Sequence, residues 1–253
     1  GNDASMYNVL GVAATYVYDR QAHKPVPVIT DKEGTVYPTD SVTYSSTSDG
    51  DTCVNAGYVR MQIVITSHGQ TVTIPYNYQI QARDINTASM TPIADVDYNG
   101  KAHTPTIRIT DGTHLLTGSP TSSDGSADFT YTYYNNVQPG TATVTINGIN
   151  NYTGIANLYF SINVKEAPQM KVTAMPSGRL KVSWNKVSGV SGYRIFYAPQ
   201  NGSQKQVNIG NSKKTTYLTG LTRGVLYTVG LQSYVRANGQ NGYSSASVQQ
   251  IAT

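Results

Sequence analysis

The stretch Gly140-Thr-Ala-Thr-Val-Thr-Ile146 alternates threonines with small or apolar residues, so that Ala142, Val144 and Ile146 share one side of an extended chain. Successive side chains of a β-strand point to opposite faces, and this pattern therefore predicts a strand with one buried and one solvated face. Asn157-Leu-Tyr-Phe-Ser-Ile162 shows the same alternation. Five Asn-Gly and three Asp-Gly pairs interrupt such runs, and each can supply the positive φ of a tight hairpin turn. Many short strands at this spacing predict β-sandwiches.

The composition also favours strands over helices. The 253 residues include 20 Tyr but only 9 Leu and 2 Glu, with abundant Val, Ile and Thr, so we expect almost no helix. Charged residues make up 13%, well below the usual quarter, which suits an extracellular β protein. No apolar run approaches the roughly 20 residues that cross a bilayer, and no basic-then-apolar leader starts at Gly1. We expect a soluble fragment without membrane insertion.

An internal repeat divides the first two thirds of the chain. Seven residues recur 80 positions later, and the offset drifts to 84 before them and to 83 after them, as small loop insertions would produce. They are Tyr18, Ala22, His23, Pro25, Ile29, Thr30 and Asp31, which recur as Tyr98, Ala102, His103, Pro105, Ile109, Thr110 and Asp111. Two copies of one unit are therefore predicted at residues 1–84 and 85–165.

The charge changes abruptly after the second copy. Residues 1–84 carry 5 Lys and Arg against 8 acids, residues 85–165 carry 3 against 5, and residues 166–253 carry 10 against 1. The corresponding net charges are −3, −2 and +9, which sum to the +4 of the chain. Residues 166–253 are therefore predicted to be a third, basic domain.

The third domain resembles a fibronectin type III domain. Leu180-Lys-Val-Ser-Trp184 and Gly192-Tyr-Arg-Ile-Phe-Tyr197 read as two successive strands, and Tyr217-Leu-Thr-Gly-Leu221 leads into a third strand containing Tyr227. Trp184 stands where that family keeps its core tryptophan, Leu221 where it keeps a leucine before strand F, and Tyr227 where it keeps a strand-F tyrosine. The resemblance implies that all three residues pack in a core.

The two repeats are similar to the immunoglobulin-like repeats of large surface proteins of Gram-positive bacteria. The residues that carry this likeness are Tyr98-Asn-Gly-Lys-Ala-His-Thr-Pro105 and Asn136-Val-Gln-Pro-Gly140-Thr-Ala-Thr-Val144. The first copy departs from the pattern, with Asp19-Arg20 in place of Asn-Gly. The expected fold is all-β, with three tandem antiparallel β-sandwich domains, two immunoglobulin-like and one fibronectin type III-like. The resemblance implies an extracellular multidomain parent; it does not imply an activity.

The sequence offers no catalytic constellation. It contains no Gly-x-Ser-x-Gly or His-Glu-x-x-His motif, and its four histidines are scattered. His23 and His103 are repeat equivalents, which favours a shared structural role. The single Cys53 cannot form an internal disulfide and has no neighbouring His, so it reads as a buried or loop residue. We predict that the chain is not an enzyme and uses no cofactor.

Two pairs of aspartates are candidate metal ligands. Asp49-Gly-Asp51 and Asp95-Val-Asp97 could contribute oxygen ligands to Ca²⁺, although solvated turns and strand edges explain them more simply. A Lys–Asn crosslink is a further alternative at Lys24 or Lys101, but no buried acid can be nominated beside either lysine. The sequence decides neither question.

The basic third domain and the tyrosines are the candidates for a binding site. Clustered positive charge concentrates anionic partners, and tyrosine rings can stack on sugars. Candidate contacts to an anionic polymer or a glycan are Lys205, Lys213, Lys214, Tyr134 and Tyr243, with Tyr131, Tyr133, Tyr197, Tyr217 and Tyr234 as further tyrosines near these positions. The alternative is that the lysines form a solubilising surface that keeps edge strands from pairing.

The predicted function is a non-catalytic extracellular spacer of a bacterial cell-surface or secreted protein. The alternative is a carbohydrate- or host-glycan-binding adhesin or accessory module. Short connectors at Ala82-Arg83-Asp84 and Glu166-Ala167-Pro168 favour a semi-rigid arrangement of the domains. The expected partners are a cell-wall polymer or a host or dietary glycan, with no nucleic acid, and the chain is expected to be a monomer.

Overall fold

The computed structural model describes residues 3–166 and 169–253. Within these ranges the chain forms strands and two single-turn 3₁₀ helices, Ala4–Met6 and Ile85–Thr87, and it contains no α-helix. None of the helices in the described part is long and apolar enough to cross a membrane. The predicted all-β fold class, with almost no helix, is confirmed.

The strands are short except for the central ones of the large sheets. Those of the first repeat are β1 (Tyr7–Leu10), β2 (Thr15–Val17), β3 (Val28–Asp31), β4 (Val36–Tyr37), β5 (Thr39–Ser46), β6 (Gly57–Ser67), β7 (Gln70–Gln81) and β8 (Arg83–Asp84). Those of the second repeat are β9 (Ser89–Met90), β10 (Val96–Asp97), β11 (Ile109–Asp111), β12 (His114–Leu115), β13 (Gly118–Ser119), β14 (Phe129–Tyr134), β15 (Gly140–Gly148), β16 (Tyr152–Thr153) and β17 (Ile155–Asn163). Those of the third domain are β18 (Lys171–Ala174), β19 (Leu180–Ser183), β20 (Gly192–Pro199), β21 (Lys205–Gly210), β22 (Thr215–Leu218), β23 (Leu226–Ala237), β24 (Gln240–Tyr243) and β25 (Ser247–Ala252).

The first repeat contains two sheets, ordered β1-β3-β4 and β2-β7-β6-β5. Their pairings are antiparallel except for β2, which lies parallel to β7. Alternate residues of β6 and β7 are buried, and Met61, Ile63, Ile65 and Ile80 have no exposed surface. Burial of each such side chain stabilises the fold by about 1.5–3 kcal/mol.

The residues of the chain group into two compact units by their contacts with one another. The first contains residues 1–91, 107–132 and 145–157, and the second contains residues 92–106, 133–144 and 158–253. The second repeat thus supplies segments to both units. The domain boundaries predicted from the repeat and the charge stay a prediction.

The second repeat follows the predicted alternation. Ala142, Val144 and Ile146 of β15 are fully buried, and Phe160 and Ile162 of β17 are 2% and 1% exposed. In the first unit β11 pairs with β9 and β12, and β13 lies parallel to β14. In the second unit β10 lies parallel to β17. These short parallel pairs, like that of β2 with β7, depart from a purely antiparallel arrangement.

The third domain pairs a β18-β19-β22 sheet with a β21-β20-β23-β24 sheet, and β25 also pairs with β23. Trp184 is 4% exposed and its ring centroid lies 5.3 Å from that of Tyr193. Tyr227 is 3% exposed and its hydroxyl accepts a hydrogen bond from the Thr222 N–H at 2.9 Å. Leu221 is partly buried against the same core. The core positions implied by the family resemblance are confirmed.

Candidate functional site: the domain junctions

The first compact unit joins the end of the first repeat to the second repeat. Strand β8, which follows the last long strand of the first repeat, lies parallel to β16, with Arg83 opposite Tyr152 and Asp84 opposite Thr153. The Arg83 N–H donates to the carbonyl oxygen of Asn151 at 2.9 Å. Two residues of the predicted connector Ala82-Arg83-Asp84, namely Arg83 and Asp84, therefore lie in a paired strand. The other predicted connector includes Ala167 and Pro168, which lie outside the described residues.

Asp111 is the centre of a polar network at this junction. Its side chain is only 11% exposed, and its Oδ2 lies 3.2 Å from both Arg20 Nη1 and Arg83 Nε. The Tyr152 hydroxyl donates to the same oxygen at 2.8 Å, and Arg20 Nη2 donates to the Asp111 carbonyl oxygen at 3.3 Å. Two arginines of the first repeat thus converge on one carboxylate of the second. A buried carboxylate is tolerated only with such partners.

Arg20 is held in an unusual backbone conformation. Its φ is +67°, in the left-handed region that side chains other than Gly, Asn and Asp seldom adopt. The repeat-equivalent Gly100 has φ +76°, so the two copies share one turn geometry at this position. The first copy therefore keeps the positive φ of this turn although Arg20 replaces the glycine, at a cost in backbone strain. The same replacement places a cation beside Asp111 of the next repeat.

Asn151 connects a loop of the first repeat to the second repeat. Its Oδ1 accepts a hydrogen bond from the Ala56 N–H at 2.8 Å, and its Nδ2 donates to Asn55 Oδ1 at 3.1 Å. Beside it the Tyr18 and Tyr152 rings meet edge to face, with centroids 5.7 Å apart. Burial, and then the hydrogen bond to Asp111, raise the pKa of the Tyr152 phenol, because both disfavour the phenolate.

The second compact unit contains a junction of similar kind. Tyr98, the repeat equivalent of Tyr18, packs with Val164 against the core of the third domain. The Ser245 hydroxyl donates to Glu166 Oε1 at 2.7 Å, and the Ser233 hydroxyl donates to the Lys165 carbonyl oxygen. The recurrence of Tyr18 as Tyr98 therefore marks a position that meets the following domain in both copies.

A groove of about 680 Å³ lies beside this second junction. Asp97, Glu166 and Tyr243 are among the residues that line it. Gly242 approaches Pro139 so closely that a Cβ at this position would lie 2.9 Å from the proline Cβ. The two sides of the groove are therefore in direct contact at that point.

The candidate lysines of the third domain are exposed and separated. Lys205 opens β21, whereas Lys213 and Lys214 lie in the turn after it. The six residues of β21 span roughly 17 Å from Lys205 to Gly210, at about 3.4 Å per residue, and the two other lysines follow beyond its end. Of the two candidate tyrosines, Tyr134 is 51% exposed on β14, and Tyr243 lies under the Arg194 guanidinium.

No hydrogen bond or ring contact within the described residues joins these five candidates to one another. Of the further tyrosines, Tyr131, Tyr133, Tyr197 and Tyr234 are partly buried, and Tyr217 is 43% exposed. The hydroxyl of Tyr133 donates to the Pro105 carbonyl oxygen, as that of Tyr44 does to Pro25 in the first repeat. A ligand-contact role for the five candidates stays a prediction.

One aspartate of each acidic pair, and Cys53, have structural roles. The Asp49 carboxylate accepts the N–H groups of Cys53, Val54 and Asn55, and Asp95 accepts that of Ser161. Across residues 3–166 and 169–253, no group of three or more His, Cys, Asp or Glu could hold a metal ion. Cys53 is fully buried, and burial raises the pKa of its thiol.

The two repeat-equivalent histidines share a backbone role, as predicted. The His23 N–H donates to the Cys53 carbonyl oxygen and the His103 N–H to that of Asn136, both at 2.8 Å. The His23 side chain also contacts Asp19, with Nε2 2.7 Å from Oδ1.

Comparison with known proteins identifies the third domain. Residues 166–250 match the family model described as the fibronectin type III domain. No match was found among curated proteins. Similar solved structures include the FN1–FN3 domains of chicken CNTN1, 14% identical over 90% of this chain and 93% of that chain, with a TM-score of 0.33. A two-domain fibronectin type III segment of chicken tenascin is 14% identical over 86% and 97%, with a TM-score of 0.34. The fn3 domain of human collagen alpha-1(XX) is 24% identical over 37% and 88%, with a TM-score of 0.33.

Proposed function

We propose that this chain is a non-catalytic spacer of a bacterial extracellular multidomain protein, in which successive β-sandwich domains are held at fixed junctions. The observation that carries the proposal is the Arg20–Asp111–Arg83 network at the junction of the two repeats. Domains joined only by linkers move relative to one another by default. Directional bonds to one buried carboxylate instead select one arrangement of the two repeats, a role that buried ionic groups have in some proteins.

The surroundings of this network support a constant geometry. The β8–β16 pairing, the Asn151 side chain and the Tyr18–Tyr152 ring contact all cross the same junction. A spacer that presents other domains at a distance needs such fixed connections. The fibronectin type III match and the low fraction of charged residues support an extracellular location, at the cell surface or secreted. The resemblance of the repeats to Gram-positive surface proteins supports a bacterial source.

Residual dipolar couplings of the whole chain test this proposal. Backbone amides of residues 57–81 and of residues 107–119 should fit one alignment tensor, because the junction holds the two segments together. The double variant Asp111→Ala with Asn151→Ala should need two tensors, whereas Asp51→Ala, which removes an exposed acid, should still fit one. Two independent tensors in the wild-type chain would contradict a fixed junction.

A further inference from the structure

The outer face of the large sheet of the third domain presents an aromatic ring lying flat on the backbone. Phe196 on β20 and Val248 on β25 are both paired in register with Gly230 on β23. A Cβ on Gly230 would lie 1.9 Å from Phe196 Cζ and 2.2 Å from Cε2, so the ring lies directly over this glycine. Gly230 is buried beneath the ring, Phe196 itself is partly exposed, and Val248 is 53% exposed. The glycine thus makes room for a flat apolar platform.

A fixed cation lies in the next row of the same face. Arg194 Nε and Nη2 donate to Gln232 Oε1 at 3.0 and 2.6 Å. The guanidinium carbon lies 3.5 Å from the centroid of the Tyr243 ring, within the range of a cation–π contact. Arg194 and Phe196 are two residues apart on one strand and therefore point to the same side of the sheet. The Phe196 ring and the Arg194 guanidinium are therefore neighbours on this face.

The edge strand beside the platform presents polar side chains, and the sheet carries no acids. Asn208 pairs with Arg194 and Gln206 pairs with Phe196 on the edge strand β21, and both are exposed. Residues 167–253 contain no Asp or Glu, so no carboxylate of the sheet opposes an anion on this face. Asp97 and Glu166 are acids outside this sheet that line the groove to which Tyr243 also belongs.

We propose that this face, formed by Phe196 over Gly230 with Arg194, Gln206 and Asn208 beside it, binds an acidic polysaccharide. A flat ring offers its surface to the apolar face of a sugar, and the amides and the guanidinium supply hydrogen-bond donors for hydroxyl and carboxylate groups. Neighbouring strands lie about 4.8 Å apart, so the face that β20, β21 and β23 form is wide enough for an extended chain of sugars. The proposal goes beyond the spacer function and does not depend on it.

Binding of the whole chain to immobilised hyaluronan, with dextran as the uncharged polymer, tests this assignment. The wild-type chain should bind hyaluronan at physiological salt and bind dextran at least about tenfold more weakly, a difference of about 1.4 kcal/mol. Phe196→Ala and Arg194→Gln should each weaken hyaluronan binding by about tenfold or more. Gly230→Ala should do the same without removing either group, because its Cβ displaces the ring. Fluorescence of Trp184, in the core of the third domain, reports whether each variant remains folded.

Tyr217 supplies a matched control. It is an exposed aromatic on the other sheet of the domain, with the Arg179 guanidinium 4.7 Å from its ring centroid. Tyr217→Ala should change hyaluronan binding at physiological salt by less than about twofold, because Tyr217 lies on the other sheet. The proposal is overturned if the wild-type chain does not bind hyaluronan at physiological salt, if folded Phe196→Ala and Gly230→Ala bind like wild type, or if dextran binds equally well.

Discussion

At the scale of single residues, Asp111 is the common partner of three side chains at the junction. Replacing it by Ala leaves Arg20 and Arg83 without their common partner and removes the acceptor of the Tyr152 hydroxyl. Breaking a buried pair costs about 3–5 kcal/mol, and the partial exposure of both arginines reduces this to about 2–3 kcal/mol. Urea unfolding followed by circular dichroism measures the loss. Asp51→Ala removes the same charge from an exposed position and should change stability by less than about 0.5 kcal/mol.

Substitutions of Arg20 separate the effect of backbone strain on stability from the effect of side-chain contacts. Both Arg20→Gly and Arg20→Ala remove the ion pair with Asp111, but only alanine keeps a Cβ in the left-handed region. Because that conformation costs about 1–2 kcal/mol for residues other than glycine, the glycine variant should be the more stable by about 1 kcal/mol. Thermal unfolding of the two variants makes the comparison. Equal stabilities would show that Arg20 is not held at positive φ.

Tyr152 makes the junction sensitive to alkaline pH. Its pKa is raised in the folded chain, so folding favours the protonated phenol. The resulting stabilisation is fully present below the ordinary tyrosine pKa near 10 and is lost as pH rises above it, by about 1.4 kcal/mol per pH unit for one group. Urea unfolding between pH 8 and pH 11 should therefore show a shallower decline for Tyr152→Phe than for wild type. Tyr58→Phe, at a position 65% exposed, should leave the slope unchanged.

At the scale of structural elements, the side-chain amide of Asn151 joins a loop of the first repeat to the second repeat. Asn151→Ala removes the acceptor of the Ala56 N–H and the donor to Asn55 while leaving the β8–β16 backbone pairing in place. The expected cost is about 1–2 kcal/mol, because a backbone donor loses its partner. Urea unfolding measures it. Asn77→Ala, on an exposed position of β7, serves as the control and should cost far less.

Most elements could be predicted from local pattern, and the junction could not. The alternation in Thr141–Ile146 and the Trp184 and Tyr227 positions depend on neighbours in sequence or on a family pattern, and the structure agrees with them. Asp19-Arg20 stood out only as a departure from Asn-Gly. Its partner Asp111 lies 91 residues away, and only the placement of one repeat against the next brings the two together. The Phe196 platform was missed for the same reason, because it depends on the register of β20 with β23.

At the scale of the whole molecule, each repeat contains a residue that contacts the domain that follows it. Tyr18 and Tyr98 are equivalent by sequence, and each meets the domain that follows, so one unit encodes both a sandwich and its attachment to the next. The copies differ in detail, since Arg20 reaches Asp111 where the second copy has Gly100. A tandem array built in this way keeps its junctions defined without disulfides, as the single free Cys53 requires.

Amide hydrogen exchange at Ala56 and Arg83 tests the fixed junction most directly. Both N–H groups donate to Asn151, across the boundary between the two repeats. In the wild-type chain they should exchange at least about a hundredfold more slowly than free amides, and in Asp111→Ala with Asn151→Ala the Ala56 amide should lose that protection while amides in the middle of β6 keep theirs. Exchange of Ala56 and Arg83 at the rate of free amides in the wild-type chain would contradict the account.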